Sequence, residues 1–251
     1  MLQYTRNLIG QRLAASDGDI GHVRDFYFDD LNWVVRYLVI DTGSWLVGRS
    51  VLIAPQAIGR IQPGEKVLPV KLRRQQIEDS PPLASHVPVT RQYESVYYQY
   101  YGWPTYWAGS GLWGLGAYPA TTLPPPAEVS RTPIQHRAEK HLQSALAVIG
   151  YRVEGLDGDV GRLEGFFFDD HDWAVAELVV DAGHWYSGHE VRVSRRNIRG
   201  ITHEHGAITI DLTKADLLRT KEDEIAHGPH DGGGSRVLRH PPVPTASMRK
   251  H

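Results

Sequence analysis

Cysteine is absent from all 251 residues. Disulfides, thiolate metal sites and cysteine nucleophiles are thereby excluded together, and a reducing, cytoplasmic location is expected. Long apolar runs are also missing. No stretch approaches the roughly 20 apolar residues needed to span a bilayer, and "MLQYTRNLIGQRL" lacks the apolar centre of a signal peptide, so a protein without a membrane span is expected. There is no surplus of positive charge either. The formal net charge of -2 provides no global attraction for nucleic acid, which is not expected as a partner. The phosphate-binding pattern G-x-x-x-x-G-K-[ST] and the nucleophile pattern G-x-S-x-G do not occur. One G-x-G-x-x-G does, from Gly109 to Gly114, but it follows no strand, opens no helix and runs into Pro119, so the dinucleotide scaffold is lacking.

What the chain does have is an internal repeat. A shift of 140 positions aligns Ile9–Ile61 with Ile149–Ile201 without a gap, and roughly 22 of about 53 positions are identical. A weaker match continues in register, "VLPVKLRRQQIED" against "AITIDLTKADLLR". Within each copy apolar residues alternate over short runs, as in Val35, Tyr37 and Val39, with Gly and Asp between the runs, which is the pattern of β-hairpins. The expected fold is all-β: two small β-barrels in tandem, since five or six strands per copy must curl to hide their edges. The organisation that follows is repeat one at 1–83, an aromatic Gly/Pro-rich linker at 84–135, repeat two with its lead-in at 136–226, and a disordered tail at 227–251. The second copy is the more acidic, so the two should present different faces to partners.

The stretch "DGDIGHVRDFYFDD" at 17–30 returns as "DGDVGRLEGFFFDD" at 157–170, and its carboxylates pose the main chemical question. Asp17, Gly18, Asp19 and Gly21, with Asp157, Gly158, Asp159 and Gly161, are read as hairpin-turn residues, because Gly tolerates positive φ and Asp favours turns. Asp29 and Asp30, with Asp169 and Asp170, are read as a second turn. The spacing does not fit a calcium loop. His22 becomes Arg162 and Asp25 becomes Gly165, so the residues best suited to acid/base work are those the repeat does not keep. His203-Glu204-His205 is read as surface histidines, with no third zinc ligand placed by the sequence. No metal, no cofactor and no catalytic residue is assigned.

The "GQRL" and "GYRV" starts, the D-G-D-x-G turn, the F-D-D hairpin, the "YLVIDTGSWL" strand and the short helical tail resemble the PRC-barrel domain. That family includes the cytoplasmic part of the photosynthetic reaction centre H subunit and the barrel of a ribosome maturation factor. The resemblance implies a small closed or nearly closed β-barrel in each copy and a role in docking and assembly; photosynthetic and ribosomal roles are not carried over.

Between the copies, Tyr93–Glu128 concentrates seven of the twelve tyrosines among Gly and Pro, a composition not expected to hold a helix or strand period for long. Tyr97, Tyr98, Tyr100, Tyr101, Trp103 and Trp107 are the candidate interaction residues, with Trp45 and Trp185 marking the barrel rim against which they should pack or self-associate. The leading functional expectation is a non-catalytic module that docks a protein partner or pairs with itself as a homodimer. The alternatives are a ribosome- or RNA-associated factor and a metal-assisted hydrolase using the acidic loops.

Overall fold

The computed structural model describes residues 1–47, 49–62, 64–84, 88–122, 142–186 and 190–219. The tail at 227–251 and the end of the linker lie outside them, as do 136–141 of the lead-in.

Repeat one begins with β1 (Leu2–Tyr4) and a single helical turn, α1 (Thr5–Leu8). It continues with β2 (Arg12–Ala15), the long β3 (Gly18–Asp29), β4 (Val34–Asp41), β5 (Arg49–Ile53), β6 (Val67–Pro69) and the closing helix α2 (Arg74–Glu78). The intervening segment supplies β7 (Leu83–Ala84) and α3 (Arg91–Tyr101). Repeat two runs β8 (Leu142–Ser144), α4 (Ala145–Val148), β9 (Arg152–Gly155), β10 (Gly158–Asp169), β11 (Val175–Asp181), β12 (Glu190–Ser194), β13 (Ile198–Thr202) and β14 (Ala207–Ile210), and then a helical stretch at 214–219. Every named strand of repeat two except β13 sits about 140 residues beyond a strand of repeat one.

The all-β class holds, as two seven-stranded sheets. One has the order β6-β2-β3-β4-β5-β7, the other β12-β11-β10-β9-β14-β13. Both curl. In the second sheet the end strands β12 and β13 are successive in the chain, joined by one 3-10 turn at Arg195–Asn197; in the first, Ile58 bridges to Val70. No ladder closes either sheet among the described residues.

The repeated glycines have specific tasks. The β2–β3 hairpin turns on Ser16-Asp17, with Ala15 opposite Gly18, so the loop lies one residue earlier than the Asp17-Gly18 expected from sequence. Gly18 opens β3 with φ +148°. At Gly21 a side chain would overlap the Asp41 carbonyl oxygen, and at Gly161 the Asp181 carbonyl oxygen. The strand can pass its neighbour there only without a Cβ.

The expectation of two separate barrels did not contain an exchange of strands. β1 pairs with β10 of repeat two, Leu2 opposite Asp169 and Tyr4 opposite Phe167. β8 pairs with β3 of repeat one, Leu142 opposite Asp29 and Ser144 opposite Tyr27. The two pairings are equivalent under the 140-residue shift, so the halves are related by a pseudo-twofold. On the axis, Val35 N donates to Trp173 O at 2.8 Å and Val175 N donates to Trp33 O at 2.7 Å. Trp33 and Trp173 hold φ +54° and +60°, a conformation that costs a large residue about 1 kcal/mol or more. Burial of both rings and the two cross-axis hydrogen bonds offset it. Phe28 meets Phe166 at 5.3 Å and Phe26 meets Phe168 at 6.0 Å between ring centroids. One continuous core therefore runs through both halves.

Candidate interaction surface

The acidic residues do not converge. Asp17 Oδ1 accepts from the Arg74 backbone N–H at 2.8 Å, and Asp157 does the same for Lys214 at 3.0 Å. Each anchors the N-terminus of its closing helix, where a carboxylate meets unpaired N–H groups. Asp19 pairs with Arg12, and Asp159 is exposed. Asp29 accepts from the backbone of Leu31 (3.0 Å) and Asn32 (3.2 Å), from the Asn32 amide (2.9 Å) and from buried Arg36 (3.0 Å). Burial alone would raise its pKa, but Arg36 and the Asn32 donors win and bring the carboxyl below the ordinary range.

Asp30 and Asp170 clasp the exchanged strands. Gln143 donates to Asp30 at 3.0 Å and Gln3 donates to Asp170 at 3.0 Å. The Met1 ammonium lies 2.7 Å from Asp170 and 3.4 Å from Asp169. His203 contacts Asp30 at 3.1 Å; it sits in the turn at 203–206 that joins β13 to β14, not in a strand. Asp25 accepts from Ser144 Oγ, from Leu146 N at 3.0 Å and from Phe26 N at 2.7 Å. Burial nevertheless raises its pKa against these donors. No group of three or more metal-ligating side chains gathers among the described residues.

The aromatic segment departs from expectation by forming a helix. Thr90 Oγ1 accepts from Tyr93 N at 3.2 Å to cap the start of α3, and Gly102 ends it at φ +66°. Rings at 93, 97 and 101 share one face. Tyr93 donates to Pro81 O at 2.9 Å, while Tyr97, with Tyr98 beside it, rests on the outer side of β4 and β5 at Tyr37 and Leu52, which is apolar in this copy. Tyr97 and Tyr98 are fully buried, their centroids 5.5 and 6.5 Å from Tyr37. The Tyr97 hydroxyl donates to Leu52 O at 3.0 Å and accepts from Ala54 N at 3.2 Å, closing the edge of β5 beyond the point where β7 pairs with Arg49 and Ser50.

Beside them lies a buried polar knot. Glu94 accepts from Tyr37 OH at 3.0 Å and from Tyr106 OH at 2.7 Å, and pairs with Arg91 at 3.0 Å. Arg36 donates to Leu112 O at 2.6 Å with its guanidinium 3.9 Å from the Tyr106 centroid. Burial pushes the Tyr97 and Tyr106 hydroxyls far up and Tyr101 up to about 12, so all three remain neutral donors. Trp103 stacks on Tyr101 at 4.4 Å, Trp107 meets Tyr98 edge-on at 5.4 Å, and Tyr100 lies at the surface with its hydroxyl on Gln76 O. Trp113 donates to Asp172 O at 2.7 Å, tying the segment to repeat two.

Trp45 and Trp185 are not the face on which these rings rest. The Arg74 guanidinium lies over Trp45 and the Lys214 ammonium over Trp185, at 4.5 and 5.4 Å from the ring centroids. The closing helices already cover those rims. The exposure of the apolar β4–β5 face, not the rim tryptophans, decides where the aromatic segment goes.

Two clefts of matching origin remain, each between the F-D-D turn of one half and the segment after the third hairpin strand of the other. The first, about 580 Å³, lies between Asp170-His171 and Gly59–Gln62. The second, about 620 Å³, lies between Asp30-Leu31 and β13 with the preceding Arg195-Arg196. The 140-residue shift carries Asp30 to Asp170 and Ile61 to Ile201. It also carries Pro55, Gln56 and Gly59 to Arg195, Arg196 and Arg199, so the second cleft is lined by three arginines where the first has Arg60 alone.

The family model of the PRC-barrel domain matches residues 3–77, from β1 through α2. Repeat one therefore carries a PRC-barrel domain; repeat two shares its strand order by internal repetition and lies beyond the matched range. No curated protein matches the chain. No described helix is long and apolar enough to cross a membrane.

Proposed function

We propose that the chain is a non-catalytic docking module whose two interlocked β-units present a rigid surface to a protein partner. The observation that carries this reading is the placement of the acidic motif. Asp17, Asp29 and Asp30, with Asp157 and Asp170, are all engaged in hydrogen bonds that hold helices, turns and exchanged strands. A general base or a metal ligand needs a free lone pair, and a general acid a transferable proton, aimed at a substrate or ion. The PRC-barrel match of repeat one supports the same reading at the level of class.

The mechanism is surface complementarity on a preorganised scaffold. Exchange of β1 and β8 fixes the halves relative to each other, so a partner that touches both need not wait for them to align. The test has two arms. Calorimetric titration of the full chain with Mg²⁺, Ca²⁺, Mn²⁺ and Zn²⁺ should give no saturable heat. Quantitative cross-linking should recover one partner in fixed proportion. Saturable cation binding abolished by Asp29→Asn and Asp30→Asn, together with cation-dependent hydrolysis, would replace docking with a hydrolytic function.

A further inference from the structure

The two copies act as a control on each other, because a residue needed for the fold should recur at its equivalent position. Arg195, Arg196 and Arg199 do not, and their counterparts Pro55, Gln56 and Gly59 support the same turn. They stand in an otherwise acidic unit: residues 142–219 hold thirteen acidic and eight basic side chains, three of the basic ones within five positions. Arg199 is held by Asp211 at 2.6 Å. Among the described residues the guanidinium groups of Arg195 and Arg196 have neither an ion-pair nor a hydrogen-bond partner, and only the Arg195 backbone carbonyl is engaged, by Ile198 N–H. Arg195 is half-buried, and desolvation lowers its pKa although Asp172 and Asp29 lie close enough to oppose the effect. A guanidinium partly withdrawn from water without a partner is a standing cost that an incoming anion would relieve.

The strand beneath these arginines has an open side. β13 pairs only with β14 among the described strands and ends its sheet, and its residues Ile198–Ile201 line the cleft. The cleft adds an apolar element from exposed Leu31 and half-buried Ile198 and Ile201. An open strand edge with alternating pockets is the geometry of strand addition, in which backbone bonds hold a peptide and side-chain contacts select it.

We propose that an extended acidic segment of a partner protein adds along the open edge of β13 and places its carboxylates on Arg195 and Arg196. The proposal rests on the docking function and names the chemistry of the partner. A nucleic acid fits less well because the cleft offers no exposed ring for a base to stack on; Trp33 is buried in its floor. An anionic membrane fits less well because the site is concave and the unit around it is acidic.

The experiment uses the full chain and a fluorescein-labelled peptide of alternating glutamate and valine. A lysine–valine peptide, inorganic phosphate and an oligothymidylate serve as competitors. Arg195→Gln with Arg196→Gln gives repeat two the polar, uncharged character that Gln56 has in repeat one, so the fold should tolerate it. Saturable binding is expected, weakened by salt and reduced roughly tenfold or more in the double variant at an unchanged thermal midpoint. Arg60→Gln in the sister cleft should leave binding intact.

Several outcomes would overturn the proposal. One is the absence of binding; another is binding indifferent to the double substitution. Displacement by phosphate or oligothymidylate at lower concentration than by peptide would assign the site to another anion. Edge arginines can also serve to block aggregation, in which case the double variant would self-associate without ever having bound peptide. If Glu222→Gln, Asp223→Asn and Glu224→Gln together raise affinity roughly tenfold, the occupant is the chain's own acidic segment and not a partner. A cross-linked partner retained by the double variant would leave the docking function standing and remove this cleft from it.

Discussion

Tyr97→Phe removes one oxygen and tests whether α3 is seated on β5. The Tyr97 hydroxyl donates to Leu52 O at 3.0 Å and accepts from Ala54 N at 3.2 Å, and the side chain is 1% exposed. Phenylalanine keeps the ring and its contact with Tyr37 but leaves a backbone acceptor and a backbone donor without partners. A buried polar group stripped of its partner costs about 1–3 kcal/mol, so two together should cost about 2–6 kcal/mol. Tyr100→Phe is the matched control, since its hydroxyl bonds Gln76 O at the exposed surface, where water replaces the lost donor at a cost of about 0.5 kcal/mol or less. Urea unfolding followed by tryptophan fluorescence should show a midpoint lower by roughly 1 M or more for Tyr97→Phe, given slopes of about 1–3 kcal/mol/M, and nearly no change for Tyr100→Phe. Equal effects at the two positions would mean that the helix does not close the β5 edge in solution, and the account of the aromatic segment would fail with it.

Three further outcomes follow from the same geometry. Gly21→Ala, whose methyl group would overlap the Asp41 carbonyl, should cost about 3 kcal/mol or more, whereas Gly10→Ala, at φ +82° with open space around it, should cost about 1–2 kcal/mol; thermal unfolding of the pair checks the ordering. Residues 1–122 and 136–251, expressed as two chains, should form a one-to-one complex in sedimentation, because each sheet then takes a strand from the other chain; two stable, non-associating monomers would refute the exchange. Asp29 has a folded pKa below its unfolded one, so its stabilising contribution is complete above the ordinary carboxylate range and is lost as pH falls through the lowered value. Asp29→Asn should therefore flatten the acid limb of the stability curve, and an unchanged limb would contradict the Arg36 pairing.

Much of this was legible in the sequence because a repeat separates backbone requirements from the rest. The gapless alignment of 9–61 with 149–201 located the hairpins, and the alternation of Val35, Tyr37 and Val39 identified strands. The helix α3 was not legible from composition, since tyrosines and β-branched residues favour strands. It forms because tertiary packing overrides propensity. Its signals were present as Thr90 before the segment, Gly102 after it, and rings at i, i+4 and i+8 from Tyr93. The surface it covers was also readable. Repeat one has Tyr37 and Leu52 where repeat two has Glu177 and Arg192, so only the first copy has a second apolar face to hide. The Arg195–Arg199 asymmetry was visible in the same alignment, but only the fold brings it against Leu31 of the other half.

The exchange itself is harder to read, because a repeat states which positions are equivalent and not whether a strand pairs within its own copy or across. Two substitutions resolve that ambiguity once the pairing is known. Asp25 of repeat one faces Ser144 of the incoming β8, whose hydroxyl donates to the buried carboxylate. Repeat two has Gly165 at the equivalent position, and the incoming β1 brings Tyr4 in place of the serine; a Cβ on Gly165 would lie 2.8 Å from the Tyr4 ring. The tyrosine uses that space to stack on Phe167 at 4.8 Å. Pairing within each copy would set Tyr4 against Asp25, a ring over a buried carboxylate without its hydroxyl donor, and Ser144 against Gly165, a small polar group over a void. Each mismatch leaves a buried polar group unsatisfied or a contact unfilled, and both disadvantages act in the same direction. The crossed arrangement is therefore specified by complementary pairs and not merely tolerated by symmetry. It also couples the halves: a change in the lead-in of one copy is constrained by the long strand of the other. That coupling holds the scaffold as one body while the exposed β13 edge and its arginines, which take no part in it, are free to differ from their counterparts in repeat one.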